Sequence, residues 1–318
     1  MNRNYWLDGM MGVIVGDALG CPVQFMSREE IATRPEGAVK GMESGGVYNT
    51  QEGTWTDDSS MSLATLDSIR ELGVVDTEDI MTAFVDWYED GEYTPFGEAF
   101  DIGNTCSSAI EKYENTGDLK TCGGTSEYSN GNGSLMRIMP VCLYAAMKGL
   151  TDEEAISLVH EVSGLTHNHL RSKIACGLYY FCVKEILGKK LPIGTTLKRA
   201  MEKGFEFYDK DIANKIELAH LGRLRDVREL GATDIRNIES SGYVVHSLEA
   251  AIWSVMRGKD FTDALLIAVN LGDDTDTIGA IAGGLAGLYY GYGSIPKEWL
   301  AVIKRREWIE EMCRLVSE

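Results

Sequence analysis

The sequence is poor in proline and has no strand-like pattern, which excludes most β-containing folds. Only 6 of the 318 residues are proline. Long segments instead space apolar residues three and four positions apart, and valine-rich spots at 13–15 and 244–245 lie inside such segments. No segment has the composition of a linker, and no internal repeat is found. The sequence therefore predicts one compact, all-α, multi-helix domain over residues 1–318.

Basic charge is also scarce. The chain carries 30 Lys and Arg against 49 Asp and Glu, a net charge of −19. Such a protein repels phosphate backbones, so we expect no nucleic-acid or anionic-membrane partner. The apolar stretch 278–292 is rich in glycine and too short to span a bilayer. We expect a monomer whose ligand, if anionic, is held by metal ions or backbone donors.

Cysteine pairs are missing as well. The seven cysteines are odd in number and include no C-x-x-C motif, which is typical of buried thiols in a reducing compartment. The apolar patch at 10–15 is bracketed by Asp8 and Asp17, and no signal-peptide pattern accompanies it. We therefore expect the protein in the cytoplasm.

The sequence does contain acidic residues placed directly beside apolar ones. Three carboxylates and two hydroxyls occupy residues 273–277, directly before the small apolar run 278–287. Carboxylates beside a core are costly unless they are protonated, paired or bound to a cation. An EF-hand is excluded because Ile278 and Leu285 would occupy loop positions that need oxygen ligands. A cation site supported by the apolar helix is the simplest interpretation.

A second acidic cluster, residues 56–58, starts a helix predicted to run to about Leu72 and to stop at Gly73. Helix capping alone would explain the pattern. Thr56 or Asp57 is a suitable N-cap, and acidic residues in the first turn interact favourably with the helix dipole. Adjacent carboxylates at a helix start can also reach one ion. Together the two clusters could supply oxygen ligands for one or two hard cations.

Other polar stretches have both structural and functional explanations. Asp101 precedes a helical pattern at 106–113 and could be either an N-cap or a functional carboxylate. The glycine-rich stretch 129–137 is predicted to open a helix; it could offer backbone N–H groups to a diphosphate, although it matches neither nucleotide fingerprint. Asp17, near a helix end at Gly20, could cap that end or support a metal site.

The two histidines at 167 and 169 lack the Cys or His partners of a zinc site. A neutral His167 that donates to a ligand oxygen, or a structural histidine, fits better. Tyr243, before an apolar helix, could be a core residue or a stacking surface.

In order, the motifs G-D-A-L-G, T-W-T-D-D-S, F-D-I-G-N-T, G-N-G-S-L-M-R, T-H, S-G-Y-V and G-D-D-T-D-T-I-G resemble the ADP-ribosylglycohydrolase family, which includes the dinitrogenase reductase-activating glycohydrolase. The resemblance covers about residues 9–291. It implies an all-helical fold with two divalent cations, Mg²⁺ or Mn²⁺, at the base of a cleft that holds ADP-ribose.

The resemblance also implies roles by position. The metal ligands would be Thr56, Asp57 and Asp58 on one side and Asp274, Asp276 and Thr277 on the other. Asp101 and Asp58 would be the catalytic carboxylates. Asn132, Gly133 and Ser134 would form the phosphate and ribose loop, with His167 at the diphosphate and Tyr243 near the adenosine. Asp273 stands where the family usually has glycine, so we leave it out of the ligand set.

One position departs from the family pattern. Many members have Glu where this chain has Gln24, and in serine-specific members that Glu is the catalytic candidate. Gln24 with Asp101 retained favours hydrolysis of ADP-ribose from arginine on a modified protein. Gln24 also motivates an alternative, an ADP-ribose-binding protein with impaired turnover. A metal-dependent nucleotide phosphohydrolase is a third interpretation.

Overall fold

A computed structural model describes residues 3–188 and 191–316. Its α-helices are α1 Tyr5–Gly20, α2 Arg28–Thr33, α3 Asp57–Leu72, α4 Thr77–Asp90, α5 Asn104–Thr116, α6 Met139–Met147, α7 Asp152–Gly164, α8 Leu170–Gly188, α9 Ile193–Tyr208, α10 Lys215–His220, α11 Val227–Ala232, α12 Val244–Arg257, α13 Phe261–Val269, α14 Thr275–Tyr290, α15 Lys297–Val302 and α16 Arg306–Leu315. The described residues are 67% helical. Within the described ranges the β contacts are isolated bridges, so the all-α prediction is confirmed.

Helices α1 and α14 form the centre of the molecule and touch backbone to backbone. A Cβ atom on Gly12 would lie 2.1 Å from the carbonyl oxygen of Gly283, and one on Gly16 would lie 1.9 Å from that of Gly279. Only glycine permits this approach. The other faces of both helices are apolar and buried, which explains why neither sequence shows an amphipathic pattern.

The segment Tyr5–Val23 is the one described part of the chain long and apolar enough to cross a membrane by length and composition. However, 94% of the 18-residue apolar window within this segment is buried inside the protein. It packs against α14 and the neighbouring helices, so its hydropathy is explained by its place in the core.

Helix α3 begins and ends where the sequence predicts. The Thr56 hydroxyl accepts a hydrogen bond from the Asp58 backbone N–H, and Gly73 closes the helix with a left-handed φ of 70°. These are the usual N-cap and C-cap devices. The start of α3 therefore presents Asp57 and Asp58 beside the end of α1.

Two sequence predictions need correction. Residues 129–137 do not open a helix directly: Leu135 and Met136 donate to the carbonyl of Asn132 in a turn, and α6 begins only at Met139, next to Pro140. The second prediction comes from the charged sequence of residues 191–239, which predicts exposed helices. These residues include α9, whose Leu197, Met201 and Phe205 are buried in the core.

Candidate active site

The two acidic clusters meet in a cleft of 670 Å³ between the starts of α3, α5 and α14 and the loops that precede α6 and α12. Its lining comprises Gln24, Phe25, Tyr48, Asp57, Asp58, Asp101, Ile102, Gly103, Asn104, Thr105, Cys106, Gly131, Asn132, Gly133, Met136, His167, Ser241, Gly242, Asp273, Asp274, Asp276 and Thr277. None of these is lysine or arginine in the part of the chain that the structure describes.

Asp17 attaches the start of α3 to the end of α1. Its buried carboxylate accepts hydrogen bonds from the backbone N–H groups of Thr56 and Ser59, each at 3.0 Å, and from the Ser59 hydroxyl. Burial raises the pKa of Asp17 to about 7, against the lowering effect of these bonds. Asp17 therefore supports the acidic cluster from behind and does not line the cleft.

The six predicted metal ligands lie together. The Asp58 carboxylate accepts from the hydroxyls of Thr56 at 3.1 Å and Thr277 at 3.4 Å, which joins the clusters of α3 and α14. Asp57, Asp274 and Asp276 line the same cleft. Thr56 is fully buried and does not line it. Residues more than 200 positions apart in the sequence thus form one oxygen-rich floor.

These carboxylates lack neutralising partners. Burial, followed by repulsion from neighbouring aspartates, raises the pKa values of Asp57, Asp58 and Asp276 well above their usual range. One oxygen of Asp58 and one of Asp276 are buried without a hydrogen-bond partner. Carboxylate and hydroxyl oxygens are the donors that hard divalent cations prefer. The residues present therefore fit such ions.

A different set, Glu127, His169 and Glu217, also brings ligand atoms within 4.8 Å of one another. However, Arg171 lies among them, with Nε 2.8 Å from Glu217 and a terminal nitrogen 3.0 Å from Glu127. Because the guanidinium already pairs with both carboxylates, this set is explained as an ion-pair network.

Asp101 faces the acidic floor from the loop before α5. Its φ of 62° is left-handed, and Gly103 occupies the N-cap position, so Asp101 is not the N-cap that the sequence allowed. Its carboxylate accepts from the Gln24 side-chain amide at 2.7 Å and from the Tyr48 hydroxyl at 2.8 Å. These two donors orient Asp101 in the cleft.

The glycine-rich loop is tied to both α12 and α14. The Asn132 side-chain amide donates to the Ser247 hydroxyl at 2.8 Å and to the Asp274 carboxylate at 2.6 Å. Gly133 lines the cleft, whereas Ser134 is fully buried and accepts from the Ser163 hydroxyl at 2.9 Å. Asn132 therefore orients Asp274 as well as lining the cleft, and the Ser134 side chain lies outside it.

His167 and Tyr243 occupy different positions relative to the cleft. His167 is buried and lines it, with Nδ1 2.8 Å from the Thr166 hydroxyl. Tyr243 does not line it: its hydroxyl accepts from Arg171 at 3.2 Å, and its ring packs on His246. Its neighbours Ser241 and Gly242 line the cleft instead.

Two features of the site were not predicted. Tyr48 belongs to no motif, and nothing in its sequence surroundings signals the hydrogen bond to Asp101. Asp273 has a left-handed φ of 58°, and its backbone exchanges hydrogen bonds of 2.7 Å with Phe25 and Met26. This conformation favours glycine, the residue that the resemblance predicts at this position.

Sequence comparison identifies relatives along the whole chain. The ADP-ribosylglycohydrolase family profile matches residues 3–318. The chain is 31% identical over 307 residues to the ADP-ribosylarginine hydrolase Tri1 of Serratia proteamaculans (strain 568), covering 96% of this chain and 76% of that protein. It is 32% identical over 295 residues to the ADP-ribosyl-[dinitrogen reductase] glycohydrolase of Rhodospirillum rubrum, covering 93% and 88% respectively.

Structural comparison agrees. A solved structure described as an ADP-ribosylglycohydrolase-related protein complex superposes with a TM-score of 0.77 at 31% identity, covering 98% of this chain and 96% of that one. The profile, the relatives and the shared fold show that this chain belongs to the ADP-ribosylglycohydrolase family of enzymes.

Proposed function

We propose that the protein hydrolyses the N-glycosidic bond between ADP-ribose and an arginine side chain of a modified protein, with two divalent cations, Mg²⁺ or Mn²⁺, in the cleft. The observation that carries the proposal is Asp101, held by Gln24 and Tyr48 at the wall of a cleft whose floor is made of aspartates. The names of the Serratia and Rhodospirillum relatives support ADP-ribosyl hydrolysis, and the former supports the arginine linkage.

Thr56, Asp57, Asp58, Asp274, Asp276 and Thr277 would hold the cations. When bound, the ions would orient ribose hydroxyls and a water molecule and neutralise charge in the cleft. The orphaned oxygens of Asp58 and Asp276 support this assignment. Asn132, by donating to Asp274, holds one carboxylate in a fixed orientation before the ions bind.

Asp101 would act as the general base. Asp58 would take part in catalysis as one of the carboxylates of the cleft floor. A water oxygen attacks the anomeric carbon of the ribose while Asp101 accepts the water proton. The carbon–nitrogen bond breaks and its electron pair stays on the guanidine nitrogen. That nitrogen then accepts from Asp101 the proton that came from the water. The products are free ADP-ribose and an unmodified arginine, with the carboxylate restored.

The binding side of the cleft would be the glycine-rich loop. The loop at Asn132 and Gly133 would receive the phosphates and ribose, with His167 donating to the diphosphate. Ser134 would support the loop through Ser163, and Tyr243 would brace the adenosine end through its neighbours Ser241 and Gly242.

Gln24 is accounted for by this arrangement. Its amide nitrogen donates to Asp101, so Gln in place of Glu provides the catalytic carboxylate with a hydrogen-bond donor. This favours turnover over the alternative of an impaired binding protein. The seven cysteines are all buried, which fits a reducing compartment, and we infer a monomer in the cytoplasm.

The test is product analysis on arginine-linked and serine-linked ADP-ribosylated peptides with Mg²⁺, with Mn²⁺ and with a chelator. We expect free ADP-ribose from the arginine linkage, dependent on a divalent ion. Asp101→Asn should remove turnover while ADP-ribose binding persists. Folded protein that releases no ADP-ribose with either ion would refute the proposal, and release of phosphate instead would identify a phosphohydrolase.

A further inference from the structure

Exposed aromatic side chains border the Asp101 end of the cleft. Phe25, Tyr48 and Phe96 are 62%, 42% and 58% exposed. The Tyr48 and Phe100 rings lie 5.3 Å apart edge to face, and the Phe96 and Phe100 rings stack at 5.4 Å. We name Phe25, Tyr48, Phe96 and Phe100 the aromatic rim. Large apolar side chains left in water beside a catalytic cleft indicate a contact surface.

The charge around the rim indicates the kind of partner. Residues 89–101, which carry Phe96 and Phe100, contain five acidic side chains and no Lys or Arg. Aromatic faces and carboxylates together suit a planar guanidinium, which stacks on the rings and pairs with the acids. An anionic partner would be repelled here.

We propose that the aromatic rim docks the arginine-bearing segment of the modified protein and orients its guanidinium toward Asp101. This proposal rests on the proposed function for the identity of the substrate. Tyr48 connects the rim to the catalytic carboxylate, because its ring contacts Phe100 and its hydroxyl donates to Asp101. The rim then determines preference among protein acceptors, while the cleft binds the ADP-ribose common to all of them.

The test compares Phe96→Ala with Phe96→Tyr, which keeps the ring, and with Ile212→Ala, an 80% exposed apolar residue outside the cleft lining. Phe96→Ala should raise KM for an arginine-ADP-ribosylated protein about 5-fold, the size of one exposed cation–π contact, and leave kcat unchanged. KM for ADP-ribosylated free arginine, which carries the same guanidinium, should rise by the same factor. Phe96→Tyr and Ile212→Ala should behave as wild type.

Equal KM values for Phe96→Ala and wild type on the protein substrate would overturn the rim proposal. Binding of an unmodified arginine-containing peptide, followed by NMR titration, tests the rim without turnover. If wild type hydrolyses no substrate, the proposed function fails, while the peptide still decides the rim: loss of peptide binding in Phe96→Ala supports it, and unchanged binding overturns it.

A second, independent observation concerns Arg137, which is fully buried without a carboxylate partner in the described structure. A terminal nitrogen donates to the Thr166 hydroxyl at 2.8 Å and to the Val162 carbonyl at 3.2 Å. The guanidinium lies over the Phe84 ring at 4.6 Å, and Nε and the other terminal nitrogen have no hydrogen-bond partner. A buried cation left in this state indicates a role beyond packing.

The hydrogen bonds around Thr166 favour one position for the His167 proton. A guanidinium only donates, so the Thr166 oxygen is its acceptor and the hydroxyl proton remains available. The Thr166 oxygen lies 2.8 Å from His167 Nδ1, so the hydroxyl can donate to that nitrogen while it accepts from Arg137. The ring proton is left on Nε2, next to Gly131 and Gly133 of the cleft lining.

We propose that Arg137 and Thr166 are positioning residues that fix His167 as the Nε2–H tautomer, so that the ring donates into the cleft. On the proposed function the acceptor is a diphosphate oxygen of ADP-ribose. Desolvation, with Arg137 as a second cause, lowers the pKa of His167 to about 3. A neutral ring with a fixed proton is a donor that needs no reorientation when the ligand arrives.

The test is ¹⁵N NMR of histidine-labelled protein at neutral pH for wild type, Thr166→Val and Thr166→Ser. Wild type and Thr166→Ser should show His167 protonated on Nε2 only. Thr166→Val, which keeps the shape and loses the hydroxyl, should show a mixture and bind ADP-ribose about 10-fold more weakly, as for one lost hydrogen bond to a charged group.

The wild-type spectrum alone can overturn this proposal, by showing His167 protonated on Nδ1 or charged. Unchanged tautomer and affinity in Thr166→Val would do the same. If wild type does not bind ADP-ribose, the proposed function fails, and the tautomers of the three proteins still decide the role of Thr166.

Discussion

Asp101 shows how single residues acquire function from neighbours that are remote in sequence. Gln24 comes from the turn that follows α1, Tyr48 from the loop before α3, and both donate to the same carboxylate. The two bonds hold Asp101 in a left-handed conformation at the cleft wall. Its orientation therefore depends on side chains that the local sequence around Asp101 does not include.

Replacing Gln24 by Met tests this dependence. Gln24→Met keeps the side-chain length and removes the amide donor, so Asp101 loses one charge-assisted hydrogen bond. We expect kcat/KM for arginine-linked ADP-ribose to fall about 10-fold, the kinetic equivalent of one such bond. Gln51→Met, the same change at an exposed residue that contacts Lys304, is the control. Equal activity of the two variants would contradict the role of Gln24.

At the scale of elements, the packing of α1 on α14 positions the site. Gly12, Gly16 and Gly20 of α1 meet α14 at carbonyl distances that leave no room for a Cβ atom. The same contact brings Asp17 of α1 to the start of α3. It also places the acidic residues at the start of α14 beside the start of α3. The glycines thus determine the separation of the two carboxylate clusters.

Gly283→Ala should destabilise the protein and reduce its activity together. The new Cβ would lie 2.1 Å from the Gly12 carbonyl oxygen, so the two helices must separate at a cost of about 1–3 kcal/mol. Urea unfolding measures the loss, and divalent-ion-dependent turnover should fall more than the folded fraction does. Gly222→Ala, where a Cβ meets nothing within 4 Å, should change stability by less than about 0.5 kcal/mol. Equal effects of both substitutions would show that the close packing is unimportant.

Across the whole molecule, stability depends on groups buried far from the cleft. His160 stacks on Tyr208, with Nε2 2.8 Å from the hydroxyl. Burial lowers the pKa of His160 to about 4 from 6.5. The unfolded chain therefore takes up a proton near pH 6.5 that the folded protein resists until about pH 4.

Acidification should therefore unfold the protein in part through His160. The stabilisation is complete above pH 6.5 and is lost as the pH falls toward 4, by up to about 3 kcal/mol. His160→Gln should flatten the dependence of the free energy of unfolding on pH in this window. His220→Gln, at an exposed histidine on α10, should leave the slope as in wild type. Because the buried aspartates act in both variants alike, the difference in slope isolates His160; parallel curves would contradict the prediction.

The amino-acid sequence by itself determined the fold class, the main helix boundaries and the family. Apolar spacing, scarce proline and caps such as Thr56 and Gly73 act within a few residues of each other, so they can be recognised along the chain. The motifs likewise located the acidic clusters, Asp101 and the glycine-rich loop. Each of these signals is local.

Only the tertiary structure decided what those residues contact. It directed Ser134 toward Ser163 and Tyr243 toward Arg171, attached Asn132 to Asp274, and placed Tyr48 and Gln24 on Asp101. These contacts join residues 29 to 142 positions apart. They depend on the distance between helices, which the glycine contacts of α1 and α14 set and which no local pattern encodes.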